Sequence, residues 1–218
     1  MVRPAALVFD LDGTLIDSRR DITTAINQTR SELGLPPLAL EAVVTMVGEG
    51  ARRLVERAFP EFPDRLDQIL PRYLARYWDV CLETTRPYPG IEEMLAALAD
   101  RYPLALLSNK GEALSRKILD GLRLTSRFRE ILGGDTLSTR KPDPAGLRLL
   151  ANRLGLPVEH LMLVGDTWID AETARNAGCA FALVEWGFPR PPKLDGVRVD
   201  LKAAGAEELT AALAPRGA

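Results

Sequence analysis

The stretch Ala5-Ala6-Leu7-Val8-Phe9-Asp10-Leu11-Asp12-Gly13-Thr14 decides how the rest of the chain is read. Five apolar residues run without interruption and then give way to two carboxylates and a glycine. A short, uninterrupted apolar run suits a strand covered on both faces, as in a parallel sheet. Two further runs repeat the design. Leu104 to Leu107 ends in Ser108-Asn109-Lys110, and Leu161 to Val164 ends in Gly165-Asp166, with Asp170 four residues on. Phe181 to Val184 and Ile131-Leu132 are two more strand candidates.

Helical spacing of apolar residues fills the gaps: Glu92 to Arg101, Ala113 to Leu122, Pro144 to Leu154 with Gly155 placed to stop it, Ala171 to Ala177, and Glu207 to Leu213. Strands alternating with helices predict an α/β core, a doubly wound and mainly parallel sheet of Rossmann-like type. Residues 18–86 break the alternation. Their apolar positions (Ile22, Ile26 and Leu33; Val43, Val44 and Val47; Leu66, Ile69, Leu70, Tyr73, Leu74 and Tyr77) fit three or four helices separated by proline-bearing turns. The reading is a small helical cap domain, residues 18–86, inserted into a core domain made of 1–17 and 87–218. Two linkers at one edge suit hinge closure over a site.

Composition narrows the function classes. The 218 residues carry a formal net charge of -2, so no global field favours nucleic acid or an anionic membrane. No apolar run is long enough to span a bilayer. Met1-Val2-Arg3-Pro4 leads directly toward the acids rather than into a signal peptide, so a cytoplasmic location is expected. Cys81 and Cys179 are too few and too far apart in sequence for a disulfide framework or a zinc site. Only five of the 28 basic residues are lysines, which makes each lysine more informative than usual.

In an open parallel sheet, ligands bind beyond the carboxyl ends of the strands. The three runs therefore bring Asp10, Asp12, Ser108, Asn109, Asp166 and Asp170 to one edge. Asp10 and Asp12, two apart, can border one pocket. One carboxylate can attack phosphorus to form an acyl phosphate, while the other gives a proton to the leaving alcohol and later takes one from water. Ser108 and Asn109 can hold phosphoryl oxygens, and Lys141, in Arg140-Lys141-Pro142-Asp143-Pro144, can neutralise both the attacking carboxylate and the phosphoryl group. Asp166 and Asp170 offer carboxylates to a divalent ion, and magnesium favours one or two of these with waters and phosphate oxygens. Each feature alone has a plain structural reading: an Asp-Gly turn, a helix N-cap, a surface lysine, an acidic helix start. Four such readings in this order, at these strand ends, explain less than one shared site does.

These motifs resemble the haloacid dehalogenase superfamily over nearly the whole chain. Phe9-Asp10-Leu11-Asp12-Gly13-Thr14-Leu15 is similar to its first motif, Ser108-Asn109 to its second, Lys141-Pro142 to its third, and Gly165-Asp166-Thr167-Trp168-Ile169-Asp170 to its fourth. Leu15-Ile16-Asp17-Ser18 resembles the phosphoglycolate phosphatase and β-phosphoglucomutase branch. The resemblance implies that Asp10 is nucleophile and Mg2+ ligand, and that Asp12 is general acid/base with its backbone carbonyl on the metal. It further implies that Asp166 is a metal ligand, that Asp170 is a further ligand or a supporting acid, and that Ser108, Asn109 and Lys141 hold the phosphoryl group. The presence of Asp12 argues against dehalogenation. The cap stretch Val47-Gly48-Glu49-Gly50-Ala51-Arg52-Arg53 resembles that of phosphoglycolate phosphatases. Glu49 and Arg52 are its substrate-binding candidates, Arg52 as a bidentate partner for a substrate carboxylate or else a solvent-facing arginine. Trp168 is a candidate pocket wall or a packed aromatic, and His160 is expected at the far end of its strand.

The expected function is thus hydrolysis of a small phosphorylated metabolite, with 2-phosphoglycolate as the best candidate. A sugar-phosphate mutase, a pyrophosphatase and a non-catalytic phosphate-binding module are the alternatives. A monomer or a homodimer fits equally well.

Overall fold

A computed structural model describes residues 4–188 and 198–214. Met1 to Arg3 and Lys193 lie outside them. The core is a six-stranded parallel sheet in the order β5-β4-β1-β6-β7-β8. The strands are β1 (Ala6–Phe9), β4 (Leu104–Leu107), β5 (Glu130–Leu132), β6 (Leu161–Gly165), β7 (Ala180–Val184) and β8 (Leu201–Ala203). The chain builds outward from β1 in one direction through β4 and β5, and in the other through β6, β7 and β8. The reversal beside β1 opens a crevice at the strands' carboxyl ends.

Every residue of β1, β4 and β6 is buried. Side chains alternate between faces with the two-residue strand period. Leu7, Phe9, Leu104, Leu106, Met162 and Val164 join one apolar cluster, while Ala6, Val8, Ala105, Leu107, Leu161 and Leu163 join the other. Helices α5 (Ile91–Ala99), α6 (Glu112–Gly121) and α9 (Ala206–Leu213) cover the first face. Helices α7 (Ala145–Leu154) and α8 (Trp168–Ala177) cover the second.

Between β1 and α5 the chain forms α1 (Arg19–Glu32), α2 (Leu40–Val44), α3 (Ala51–Ala58) and α4 (Leu66–Val80). This insertion is entered and left through two short strands, β2 (Ile16–Asp17) and β3 (Arg86–Pro87), which pair antiparallel with each other. The buried carboxylate of Asp21, at the start of α1, accepts hydrogen bonds from the backbone N–H groups of Thr84 (2.9 Å) and Thr85 (2.8 Å) and fixes the exit linker to the entry helix. Ile22, Ile26, Leu54, Tyr73 and Tyr77 of the insertion belong to the same apolar cluster as Leu7 and Phe9.

The five strand candidates and the helical insertion are all present. Three details differ from the sequence reading. The strand β8 has Lys202 exposed at its centre and lacks an apolar run. The ribbon β2–β3 is too short to carry a periodicity. Helix α8 begins at Trp168, before its apolar alanines, because Thr167 and Asp170 form a reciprocal capping box.

Candidate active site

The chain leaves β1 at Asp10 and turns sharply at Gly13, whose φ is +83°. A β-carbon at Gly13 would sit 2.5 Å from Asp166 Oδ2, so the turn both needs the left-handed region and needs the missing side chain. The close approach lets Thr14 Oγ1 donate to Asp166 Oδ1 at 3.1 Å. Phe188 N donates to Asp166 Oδ2 at 3.1 Å from the other side. Asp166 is thereby held, fully buried, under the β1 turn.

Lys141 lies on the loop between β5 and α7 and reaches under the sheet edge. Its ammonium donates to Asp170 Oδ1 at 2.6 Å and lies 2.9 Å from Asp10 Oδ1. Asp170 Oδ2 takes the hydroxyl (2.6 Å) and backbone N–H (3.1 Å) of Thr167. Both Asp170 oxygens are therefore engaged, one in orienting Lys141 and one in the helix cap. Burial pushes the Lys141 ammonium down, but the carboxylates of Asp10 and Asp170 outweigh it and hold the group above the usual lysine range.

Asp10 is the strained member of this set. Burial pushes its carboxyl up to about 6, against the pull of Lys141. Its Oδ1 is buried and accepts no well-formed hydrogen bond. Oxygen atoms of Asp10, Asp166 and Asp170 lie within 4.8 Å of one another, all three residues buried. Three buried carboxylates face one ammonium, a charge imbalance that a divalent cation with a taste for oxygen would offset. The donor set fits such an ion.

Asp12 lies on the other side of the cavity mouth. Its Oδ1 accepts from Ser18 Oγ, at short range, and from Lys110 Nζ at 2.7 Å. Lys110 also donates to the Tyr77 hydroxyl at 2.6 Å, which links the end of β4 to α4 of the insertion. Asn109 ties three segments together. Its Oδ1 accepts from Lys141 N (2.9 Å), and its Nδ2 donates to Lys141 O (3.0 Å) and to Gly48 O (2.9 Å). This side-chain amide is committed to backbone groups, so it acts as a strut rather than an open phosphoryl donor.

A cavity of about 230 Å³ lies between the sheet edge and the insertion. Asp10, Asp12, Ser108, Asn109 and Glu49 line it, as do Lys110, Arg57, Tyr73, Tyr77 and Trp168. Lys141, Asp166 and Asp170 are buried beneath. Of the sequence candidates, Arg52 alone lies apart: it does not line the cavity and pairs at 2.7 Å with Asp67, both side chains more than half exposed. Arg57, one and a half turns further along α3, lines the cavity instead and pairs with Glu49. His160 precedes β6, at the opposite end from the acids. Sequence reading did not single out Lys110, Ser18, Tyr77 or Arg57 for the site. Lys110 carried one available signal, as one of only five lysines and the residue that ends the Ser108-Asn109 motif.

The sequence profile of the haloacid dehalogenase-like hydrolases matches residues 7–184. A phosphoglycolate phosphatase of Rhodospirillum rubrum is 42% identical over 199 residues, covering 87% of this chain and 83% of its own. One from Aquifex aeolicus is 39% identical over 184 residues, covering 84% and 85%. Among solved structures, that of a predicted phosphoglycolate phosphatase from Haemophilus somnus superposes with a TM-score of 0.89 at 28% identity, over 97% of this chain and 99% of that one. By the length and strength of these matches, the chain belongs to the haloacid dehalogenase-like hydrolase family.

Proposed function

We propose that this hydrolase is a Mg2+-dependent phosphatase that cleaves a small phosphate monoester, 2-phosphoglycolate above others, through an aspartyl-phosphate on Asp10. The observation that carries the reading is the pairing of roles at the cavity floor and mouth. Asp10 offers a buried carboxylate oxygen without a hydrogen bond beside Lys141, while Asp12 is held separately by Ser18 and Lys110. Asp10 attacks phosphorus and the ester P–O bond breaks. Asp12 gives its proton to the departing oxygen. Asp12 then takes a proton from water, which attacks the acyl phosphate and frees inorganic phosphate and Asp10. Lys141 and Ser108 hold the phosphoryl oxygens. Asp10, Asp166 and the backbone carbonyl of Asp12 would hold the ion, with Asp170 within reach; Mg2+ would supply charge neutralisation of the phosphoryl group.

Residues 18–86 act as a cap over a core of 1–17 and 87–218, and the cavity between them suits a small metabolite, below the roughly 300–1,000 Å³ of larger ligand sites. Choice of 2-phosphoglycolate is supported by the relatives named for it. A cytoplasmic site of action fits a chain whose two cysteines are both free. No helix of the described residues is long and apolar enough to cross a membrane. The test is phosphate release from a panel of small esters, with Mg2+ and then with excess chelator. Mg2+-dependent release led by 2-phosphoglycolate, lost in Asp10→Asn, is expected. Release that survives either the chelator or Asp10→Asn overturns the mechanism, and a panel led by another ester overturns the substrate.

A further inference from the structure

We propose that Lys110 is the residue that reads the carboxylate of the substrate, and so sets the preference for acidic phosphate esters. The inference rests on the phosphatase reading above and adds a recognition role that the motifs assign elsewhere, to Arg52.

Among the described residues, the cationic side chains that line the cavity are Lys110 and Arg57. Arg57 is already paired with Glu49. Arg52 is outside, paired with Asp67. Lys110 differs from both in burial, with 6% of its side chain exposed. A buried ammonium is costly unless its donors are used. It has three N–H groups. One goes to Asp12 Oδ1 and one to the Tyr77 hydroxyl, and the tyrosine ring centroid lies 4.7 Å away. The third donor has no partner among the described residues, on a cavity wall where Ile22, Tyr73 and Leu114 stand beside polar groups such as Glu49 and Ser108.

Position then specifies what that donor meets. Asp12 serves the ester oxygen, so that oxygen must come within hydrogen-bond distance of the Asp12 carboxylate. Lys110 holds one oxygen of that carboxylate at 2.7 Å. In 2-phosphoglycolate the carboxyl carbon is two bonds from the ester oxygen. A group one hydrogen bond beyond Asp12 is therefore at the reach of the substrate's carboxylate while the phosphoryl group stays on Asp10. A neutral leaving group in the same place would leave the third Lys110 donor unsatisfied, and unpaired polar groups are what make a buried site selective.

The experiment compares two esters with the same two-carbon chain, 2-phosphoglycolate and 2-hydroxyethyl phosphate, with saturating Mg2+. The ratio of their kcat/KM values is read for the wild type, Lys110→Met and Arg57→Gln. The wild type is expected to prefer 2-phosphoglycolate by about 100-fold or more, and Lys110→Met to lose about 100-fold of that ratio. Arg57→Gln is expected to keep the ratio, whatever it does to the rates. A Lys110→Met variant that slows on both esters equally would make Lys110 a support for Asp12 and overturn the proposal, as would collapse of the ratio in Arg57→Gln alone. If Lys110→Met does not accumulate as folded protein, Lys110→Gln, which removes the charge and keeps two N–H donors, reads the same ratio. Wild-type enzyme that hydrolyses both esters alike overturns this inference and leaves phosphatase activity standing. Wild-type enzyme that hydrolyses neither overturns the function proposed above, and this inference with it.

Discussion

Asn109 grips Lys141 by both ends of its backbone: Oδ1 accepts from Lys141 N at 2.9 Å and Nδ2 donates to Lys141 O at 3.0 Å. The end of β4 therefore sets where the loop after β5 places its ammonium. Replacing Asn109 by Leu keeps the size and removes both of these bonds and the one to Gly48 O. Each buried bond is worth about 1 kcal/mol, and more where a partner is left unsatisfied. A loss of roughly 2–3 kcal/mol in denaturant unfolding is expected, with kcat reduced about 10- to 100-fold by a displaced Lys141. Unchanged kcat in a destabilised variant would show that Lys141 is placed by its carboxylate partners alone.

The raised Asp10 carboxyl makes a prediction about pH in the absence of metal. Its folded value is about 6 and its ordinary value 3.8. Between these values the native state holds more proton than the unfolded chain, so stability is highest below about 4 and falls as pH rises through about 6. With chelator present, wild type should lose on the order of 2–3 kcal/mol over this range relative to Asp10→Asn, which cannot ionise there. Chemical unfolding at pH 4.5, 6 and 7.5 measures it. Parallel curves for the two proteins would mean that Lys141 fully compensates the buried charge.

Metal should reverse that slope. An ion that binds only the folded chain at 100 times its dissociation constant adds about 2.7 kcal/mol of stability. Thermal unfolding at pH 7.5 should shift upward with Mg2+ in the wild type and hardly at all in Asp166→Ala. Equal shifts in both would place the ion elsewhere than beside Asp166.

Gly13 offers a sharper structural test. An alanine there would need φ near +83° and would put a methyl group 2.5 Å from Asp166 Oδ2. Gly13→Ala is expected to cost about 1–3 kcal/mol and to weaken the Mg2+ response together with activity, because Asp166 must move. A Gly13→Ala protein with normal Mg2+ response would show that the β1 turn can open without disturbing Asp166.

The readable parts of this fold and site share a physical basis. β1, β4 and β6 are buried on both faces, so they print continuous apolar runs, and the acids that end them stand out by contrast. β8 is an edge strand with Lys202 in the open, and nothing in Leu201–Ala203 distinguishes it from a turn. Choosing between Arg52 and Arg57 required the rotation of α3 about its own axis. Packing of Leu54, Val55 and Ala58 sets that rotation, and three arginines in an eight-residue helix do not reveal it. Asn109 was legible as a site residue but not as a strut, since its partners Gly48 and Lys141 lie 61 and 32 residues away. The meeting of Lys110 and Tyr77 joins residues 33 apart and exists only once α4 has packed.

The pairing of Ile16 with Pro87 and Asp17 with Arg86 closes the inserted helices into a loop whose two ends sit one strand spacing apart. The core therefore experiences the insertion as it would a hairpin turn, whatever its length. Evolution can lengthen, shorten or exchange that segment without altering the sheet order or the placement of Asp10, provided the replacement offers an apolar underside to Leu15 and Ile16. What any replacement must carry across that doorway is the hold on Asp12, which Ser18 grips directly and Tyr77 through Lys110.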